Sequence, residues 1–180
     1  MKESPLPPVI DIEASGFGSN SYPIEIGVIL PDRSSCCYII KPCREWIFWS
    51  EEAEQVHGIT REQLEQHGRA PETVAIELNS RLKGMKIYTD AWGHDSSWLG
   101  KLYNITGIPQ EFRLESIRYL LSEQQAELWH ATKELVLREL NLPRHRASSD
   151  ALVIQETFKQ THDMELLQAT LNRPAVAAGG

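Results

Sequence analysis

Apolar and polar positions alternate along this chain with two different periods, and the switches between them mark out strands and helices. After the leader prolines Pro5, Pro7 and Pro8, residues 9–14 form a short, mostly apolar run that reads as a buried strand starting where the prolines stop. Residues 22–30 and 36–41 are β-rich and bounded by the turn-forming clusters Ser-Asn-Ser and Pro-Asp-Arg-Ser-Ser, which predicts a three-stranded antiparallel meander. From residue 50 the period lengthens. Ser50, the acids behind it and Gly58 predict a short helix over 50–57, and Thr60 with Gln63 has the capping-box spacing of a second over 60–66. Val74, Leu78 and Leu82 recur at helical spacing after Pro71, giving a helix over 70–82.

A short strand follows at 86–89, then a helix over 95–102 and a short strand over 112–117. A long amphipathic helix over 122–140 runs through Leu128, Thr132, Leu135 and Leu140. Ser148 or Ser149 then caps a helix reaching about Gln160, and Asp163 caps a last one ending at Leu171. The tail Arg-Pro-Ala-Val-Ala-Ala-Gly-Gly has no reason to order. Strands followed by alternating helix and strand indicate an α/β fold, a mixed sheet covered by helices.

Composition bounds this picture without changing it. A chain of 180 residues with 41% hydrophobic content builds one buried core, so a single domain over residues 1–174 with a flexible tail at 175–180 is expected. No run of 18 apolar residues exists and the N-terminus lacks the layout of a signal peptide, so a cytoplasmic protein that does not enter membranes is expected. Cys36, Cys37 and Cys43 lack the paired short spacings of a zinc site and read as reduced thiols, with Cys36 and Cys37 on opposite faces of a strand. The net charge of -7 argues against wrapping nucleic acid independently of sequence, where lysine and arginine supply the affinity. It leaves room for a site in which divalent ions among carboxylates provide the positive charge locally.

Three blocks carry candidate chemistry. Asp11 and Glu13 lie two apart on the first strand and therefore face one side, about 7 Å apart, while Ile10 and Ile12 face the other. Roughly three acid-x-acid pairs are expected by chance in a chain this acidic, and a solvated polar strand face is the bland reading of any one of them. This pair, however, sits in an apolar stretch, and a buried carboxylate needs a partner. Ala147, Asp150, Ala151, Ile154 and Phe158 share one helical stripe, so Asp150 points inward, and the small Ala147 and Ala151 let that helix approach the strand. His145, in a loop with Arg144 and Arg146, is either an ordinary solvated side chain or a general base toward a metal-bound water. Asp95 follows the strand at 86–89 where functional side chains gather at a sheet's end. Asp90 competes with it, and a helix N-cap is the alternative role for either.

With these blocks in order, the chain resembles the DnaQ-like 3′-to-5′ exonucleases of the ribonuclease H-like fold, in the branch with an Asp-Glu-Asp-Asp set and a histidine. Val-Ile-Asp-Ile-Glu-Ala-Ser-Gly-Phe-Gly is similar to the family's first motif, Gly-His-Asp-Ser-Ser-Trp-Leu to the second and His-Arg-Ala-Ser-Ser-Asp-Ala to the third. Val-His-Gly-Ile-Thr resembles the stretch between the first two, and Tyr-Pro-Ile-Glu-Ile-Gly-Val-Ile the second strand; the likeness covers roughly residues 9–160.

The resemblance implies a ribonuclease H-like mixed five-stranded sheet flanked by helices. It also implies that Asp11, Glu13, Asp95 and Asp150 hold two divalent cations, Mg2+ or Mn2+, and that His145 deprotonates the attacking water. Nucleoside 5′-monophosphates would then leave the 3′ end of single-stranded RNA or DNA, with Ala14, Ser15, Gly16, Phe17 and His57 against the terminal nucleotide. His57 also reads as a helix end closed by Gly58. The second motif departs from the family pattern, having Ala91 and His94 where an asparagine and an aromatic are usual. Trp46, Phe48 and Trp49 fit either base stacking or core and subunit contacts, and with Trp129 they suggest a homodimer. The alternative to an enzyme is a ribonuclease H-like module that is inert or depends on a partner, such as a proofreading subunit in a polymerase assembly.

Overall fold

The computed structural model describes residues 6–171. Five strands, β1 (Val9–Ala14), β2 (Pro23–Ile29), β3 (Ser35–Ile39), β4 (Lys86–Thr89) and β5 (Arg113–Ser116), form one sheet in the order β3-β2-β1-β4-β5. The predicted meander is present, with β1 to β3 antiparallel in succession, while β4 pairs parallel with both β1 and β5. Only β2 therefore runs against the others. This is the ribonuclease H-like mixed sheet.

Helices cover both faces because β1 is apolar on both. Ile10 and Ile12, with Ile26 and Val28 beside them on β2, pack in the larger core with Val74, Leu78, Leu82, Leu99 and Leu102. The last five belong to α3 (Pro71–Leu82) and α4 (Trp92–Thr106). On the opposite face Val9 and Ile29 pack with Trp129, Ala151, Ile154 and Phe158 from α5 (Glu123–Leu140) and α6 (Ala147–Leu171). Asp11 and Glu13 lie on this second face, as the period of two requires.

Local caps behave as their residues dictate. Ser50 accepts from the Ala53 N–H at the start of α1 (Glu51–His57), which Gly58 ends in the left-handed conformation at φ 68°. Thr60 and Gln63 complete a reciprocal capping box on α2 (Arg61–His67), and Ser122 and Gln125 do the same on α5.

Three expectations need correction. Helix α4 starts at Trp92, three residues before Asp95, because the end of β4 feeds directly into it: Ala91 offers no capping side chain and its carbonyl takes the His94 and Asp95 N–H groups. Asp95 is thus inside the first turn and is not an N-cap. The two helices expected over 148–171 are one, since no glycine or proline interrupts them and Asp163 pairs with Lys159 across one turn. Neither Ser148 nor Ser149 caps it; that role is filled from β2, as described below. Finally, the buried stripe of α5 is Gln125, Trp129, Thr132 and Val136, with Leu135 47% exposed, so the packing face is rotated by one position from the expected one.

Cys36 packs against the larger core while Cys37 points to the other face, and all three cysteines are free. Trp46 stacks on Tyr22 at 5.1 Å, and both Trp46 and Trp129 are buried within the chain, so these two do not supply a subunit surface. Among the described residues no helix is long and apolar enough to cross a membrane. The expected tail lies outside the described residues.

Candidate functional site

The site is built where α6 crosses β1 and β2. Gly27, the cross-strand neighbour of Asp11, makes that crossing possible: a Cβ there would lie 2.2 Å from the Ala147 carbonyl carbon and the Ser148 nitrogen. Small residues were expected on the helix side of this contact; the sheet side contributes the more stringent one. The approach brings Asp150, in the first turn of α6, over Glu13. Ligand atoms of Glu13, His145 and Asp150 all fall within 4.8 Å of one another. Asp11 and Asp95 are not members of that closest group.

His145 occupies a left-handed turn at φ 57°, a conformation that costs a non-glycine residue energy and needs support from its surroundings. Glu25 supplies the support. Fully buried on β2 and directly opposite Glu13, it accepts from Arg146 Nε at 3.1 Å and Nη2 at 2.6 Å and from the Ala147 N–H at 2.8 Å. The same carboxylate thus caps α6 and grips the residue after His145. Arg146 in turn gives its carbonyl to the Asp150 N–H at 2.9 Å. One buried acid therefore fixes the whole segment from His145 to Asp150.

Asp95 is held differently. It is 1% exposed, and the Thr89 hydroxyl at the end of β4 donates to it. Asp90 is not free to replace it, being paired with Lys133 of α5.

Electrostatics mark the cluster as short of positive charge. Burial, then Asp95, Asp150, Glu13 and Asp90 in that order, push the Asp11 carboxyl well above the carboxylate range. Glu13 is raised to about 7, by burial first and then by Asp150 and Glu25, with Arg146 opposing. Asp95 is also raised to about 7, by burial first, against the hydrogen bond from Thr89. Burial raises Asp150 too, opposed by His145 and Lys133. Buried carboxylates that would carry charge only reluctantly, together with an imidazole, are a donor set suited to a hard divalent cation such as Mg2+ or Mn2+.

Beside Glu13 opens a small cleft of about 40 Å3 whose walls include Ala14, Gly16, Phe17, His57 and Trp98. Four of the five residues expected at a terminal nucleotide are therefore adjacent. Ser15 is not in the cleft: fully buried, its hydroxyl accepts from the Tyr22 N–H and its backbone bonds Tyr22 and Ser50, so it holds the turn. Phe17 is 69% exposed at the rim. His57 is buried, and its Nδ1 accepts from the Ile59 N–H at 3.0 Å, which puts the ring proton on Nε2, a buried atom with no partner among the described residues. Burial also lowers its pKa, favouring this neutral donor.

Sequence reasoning missed Glu25, Gly27 and Trp98. A lone acid in the seven-residue strand Pro-Ile-Glu-Ile-Gly-Val-Ile was a usable signal, because an acid in an otherwise apolar strand needs a partner. Trp98, whose Nε1 donates to Ser21 at 2.7 Å and whose ring stacks on His94, carried no such signal.

No protein-family model and no curated protein sequence matches the chain. Solved structures do. The chain is similar to a moderately thermophilic Exonuclease I from Methylocaldum szegediense, with a TM-score of 0.66 and 13% identity over 88% of this chain and 40% of that one. It is also similar to E. coli Exonuclease I in complex with a dA16 oligonucleotide, TM-score 0.65 and 11% identity over 91% and 42%. The zinc-bound E. coli Exonuclease I complex with single-stranded DNA gives 0.63 and 14% over 91% and 42%. At these identities the likeness shows the fold, and the chain spans about two fifths of the length of these structures.

Proposed function

We propose that this protein is a metal-dependent 3′-to-5′ exonuclease that releases nucleoside 5′-monophosphates from single-stranded or short nucleic acid. The observation that carries the reading is the convergence of Glu13, Asp150 and His145 within 4.8 Å over a carboxylate-lined sheet end. A fold shared with Exonuclease I structures, two of them in complex with single-stranded DNA, supports it. Asp11, Glu13, Asp95 and Asp150 would hold two divalent ions, Mg2+ or Mn2+, which would supply charge neutralisation at the phosphate and activation of water.

The chain's own groups do the rest. His145, exposed at the solvent edge of the group, takes the proton from the attacking water. The backbone at Ala14 and Gly16 lies along the terminal sugar, the Phe17 ring stacks on its base and Nε2 of His57 donates into the same cleft. Residues 1–174 act as one unit in this reading, and a homodimer is part of the same proposal, with the exposed Ile47 beside Trp46 and the half-buried Phe48 and Trp49 on its surface.

The test is digestion of matched single-stranded RNA and DNA labelled at the 5′ end, with manganese, with chelator and with an Asp11→Ala variant. A ladder shortening from the 3′ end, dependent on metal and absent in the variant, is expected. Failure to cleave either strand would shift the assignment to a module that needs a partner.

A further inference from the structure

A second cavity flanks the carboxylate cluster on the side away from the Phe17 cleft. Strands β1, β4 and β5 are parallel, so their C-terminal ends share one edge of the sheet. Val9 pairs with Tyr88, which puts Asp90 level with Asp11, two residues further along each strand. Asp90 forms one wall of a cavity of about 350 Å3, whose other walls include Arg118, Trp129 and His130. That volume falls within the roughly 300–1,000 Å3 usual for ligand sites.

Along the edge the order is thus the Phe17 cleft, the Glu13–His145–Asp150 group, Asp11, the Asp90–Lys133 pair and this cavity. Lys133 already neutralises Asp90, so the charge left to a ligand there is that of the Arg118 guanidinium, which is permanent. Arg118 and His130 are both exposed, on the short 3-10 turn Ile117–Leu120 and on α5. Neither side chain is engaged in a hydrogen bond or ion pair among the described residues. The Arg118 guanidinium thus faces this cavity with no carboxylate paired to it among the described residues.

We propose that this cavity is the subsite for the phosphodiester on the 5′ side of the cleaved bond, gripped by Arg118 with His130 alongside. The inference rests on the exonuclease reading. It adds a substrate class: strands with at least one phosphate upstream of the cleaved bond bind better than a lone esterified nucleotide. A guanidinium fork suits a phosphate, and one such contact makes about a tenfold difference in affinity.

The experiment compares two substrates, a tetranucleotide and the p-nitrophenyl ester of a nucleoside 5′-monophosphate, which has no upstream phosphate. Arg118→Ala is expected to raise KM for the tetranucleotide about tenfold more than for the ester, with the effect in KM rather than kcat. In calcium, binding of the labelled tetranucleotide read by anisotropy should lose about 0.7 of its logarithmic salt slope in Arg118→Ala, the loss of one phosphate contact on a single strand, and recover it in Arg118→Lys. Equal effects on both substrates, or none on the tetranucleotide, overturn the subsite while leaving the exonuclease reading standing. Wild-type protein that hydrolyses neither substrate overturns the exonuclease reading, and an unchanged salt slope in Arg118→Ala then overturns the subsite separately.

Discussion

The two carboxylate-bearing ends of the site are built to different standards. On the α6 side Asp150 and His145 are locked from the sheet by Glu25, which makes charged and neutral hydrogen bonds to one turn, and by Gly27, which leaves no room for slack. On the β4 side Asp95 is deeply buried, yet the Thr89 hydroxyl is its side-chain hydrogen-bond partner, and helix α4, starting at Trp92 behind Ala91, has no side-chain cap. The more heavily braced half contains the histidine, whose left-handed backbone would otherwise relax. Under the proposed mechanism, bracing is therefore concentrated where a proton would be taken from one place, and it is light where a carboxylate would only have to be present.

The comparison breaks most visibly at the shared centre. Asp11 feels every other acid of the cluster, so Asp11→Ala should lower turnover at least about 10³-fold, measured as nucleotide release under saturating manganese. Comparable rates in that variant would remove β1 from the chemistry. His145→Ala should cost about 10² in kcat while leaving manganese affinity within a few-fold if, as proposed, the imidazole moves a proton and the carboxylates hold the ions. A collapse of manganese binding in this variant would instead make His145 a ligand.

Glu25→Gln tests the bracing itself. The amide still accepts from the Ala147 N–H but gives Arg146 no charge, so a loss of about 2 kcal/mol is expected, seen as a fall of roughly 4–8 °C in melting temperature. Turnover should drop about tenfold, mostly in kcat, as the His145 turn loosens. Unchanged kcat alongside the lower melting temperature would show that Glu25 holds the helix and not the chemistry.

These same residues show how far the sequence could be read. Caps at Ser50 and at Thr60 with Gln63 were legible because donor and acceptor lie within three residues of each other, and the start of α3 because Pro71 suits a first helical turn by its own fixed φ. Asp11 and Glu13 were legible as a pair because strand period alone puts them on one face. Glu25 was not, since its partners Arg146 and Ala147 lie more than 120 positions away and only the folded sheet brings them together. The start of α4 was misplaced for the opposite reason: nothing local marks it, and the geometry of β4 decides it. The continuous α6 was split at Asp163 because an acid that looks like a cap is equally at home one turn from a lysine.

Without metal, the raised carboxyls make stability depend on pH with a definite sign. Glu13 and Asp95 titrate near 7 when folded and near 4 when unfolded, so between those values the folded state binds more protons and stability falls as pH rises. The metal-free protein should melt roughly 5 °C higher at pH 5 than at pH 8, and millimolar magnesium or manganese should flatten or reverse that difference by binding the ionised cluster. A metal-free protein most stable at pH 8, or one indifferent to both ions, would mean that these acids are compensated in solution.

Thr89→Val sharpens the lightly held half and should have the smallest effect. The substitution keeps the shape of the buried side chain and deletes the hydroxyl that donates to Asp95, for a cost of about 1 kcal/mol. That hydrogen bond opposes the burial that raises Asp95, so its loss should move the acidic limb of the pH–rate profile upward, with turnover at pH 8 reduced by less than about fivefold. The direction follows because a carboxylate that has lost a donor ionises later, and the site must be ionised before it can hold a cation. An effect as large as that of Glu25→Gln would mean that both ends of the site are braced alike, with Thr89 filling on the β4 side the role that Glu25 fills under α6.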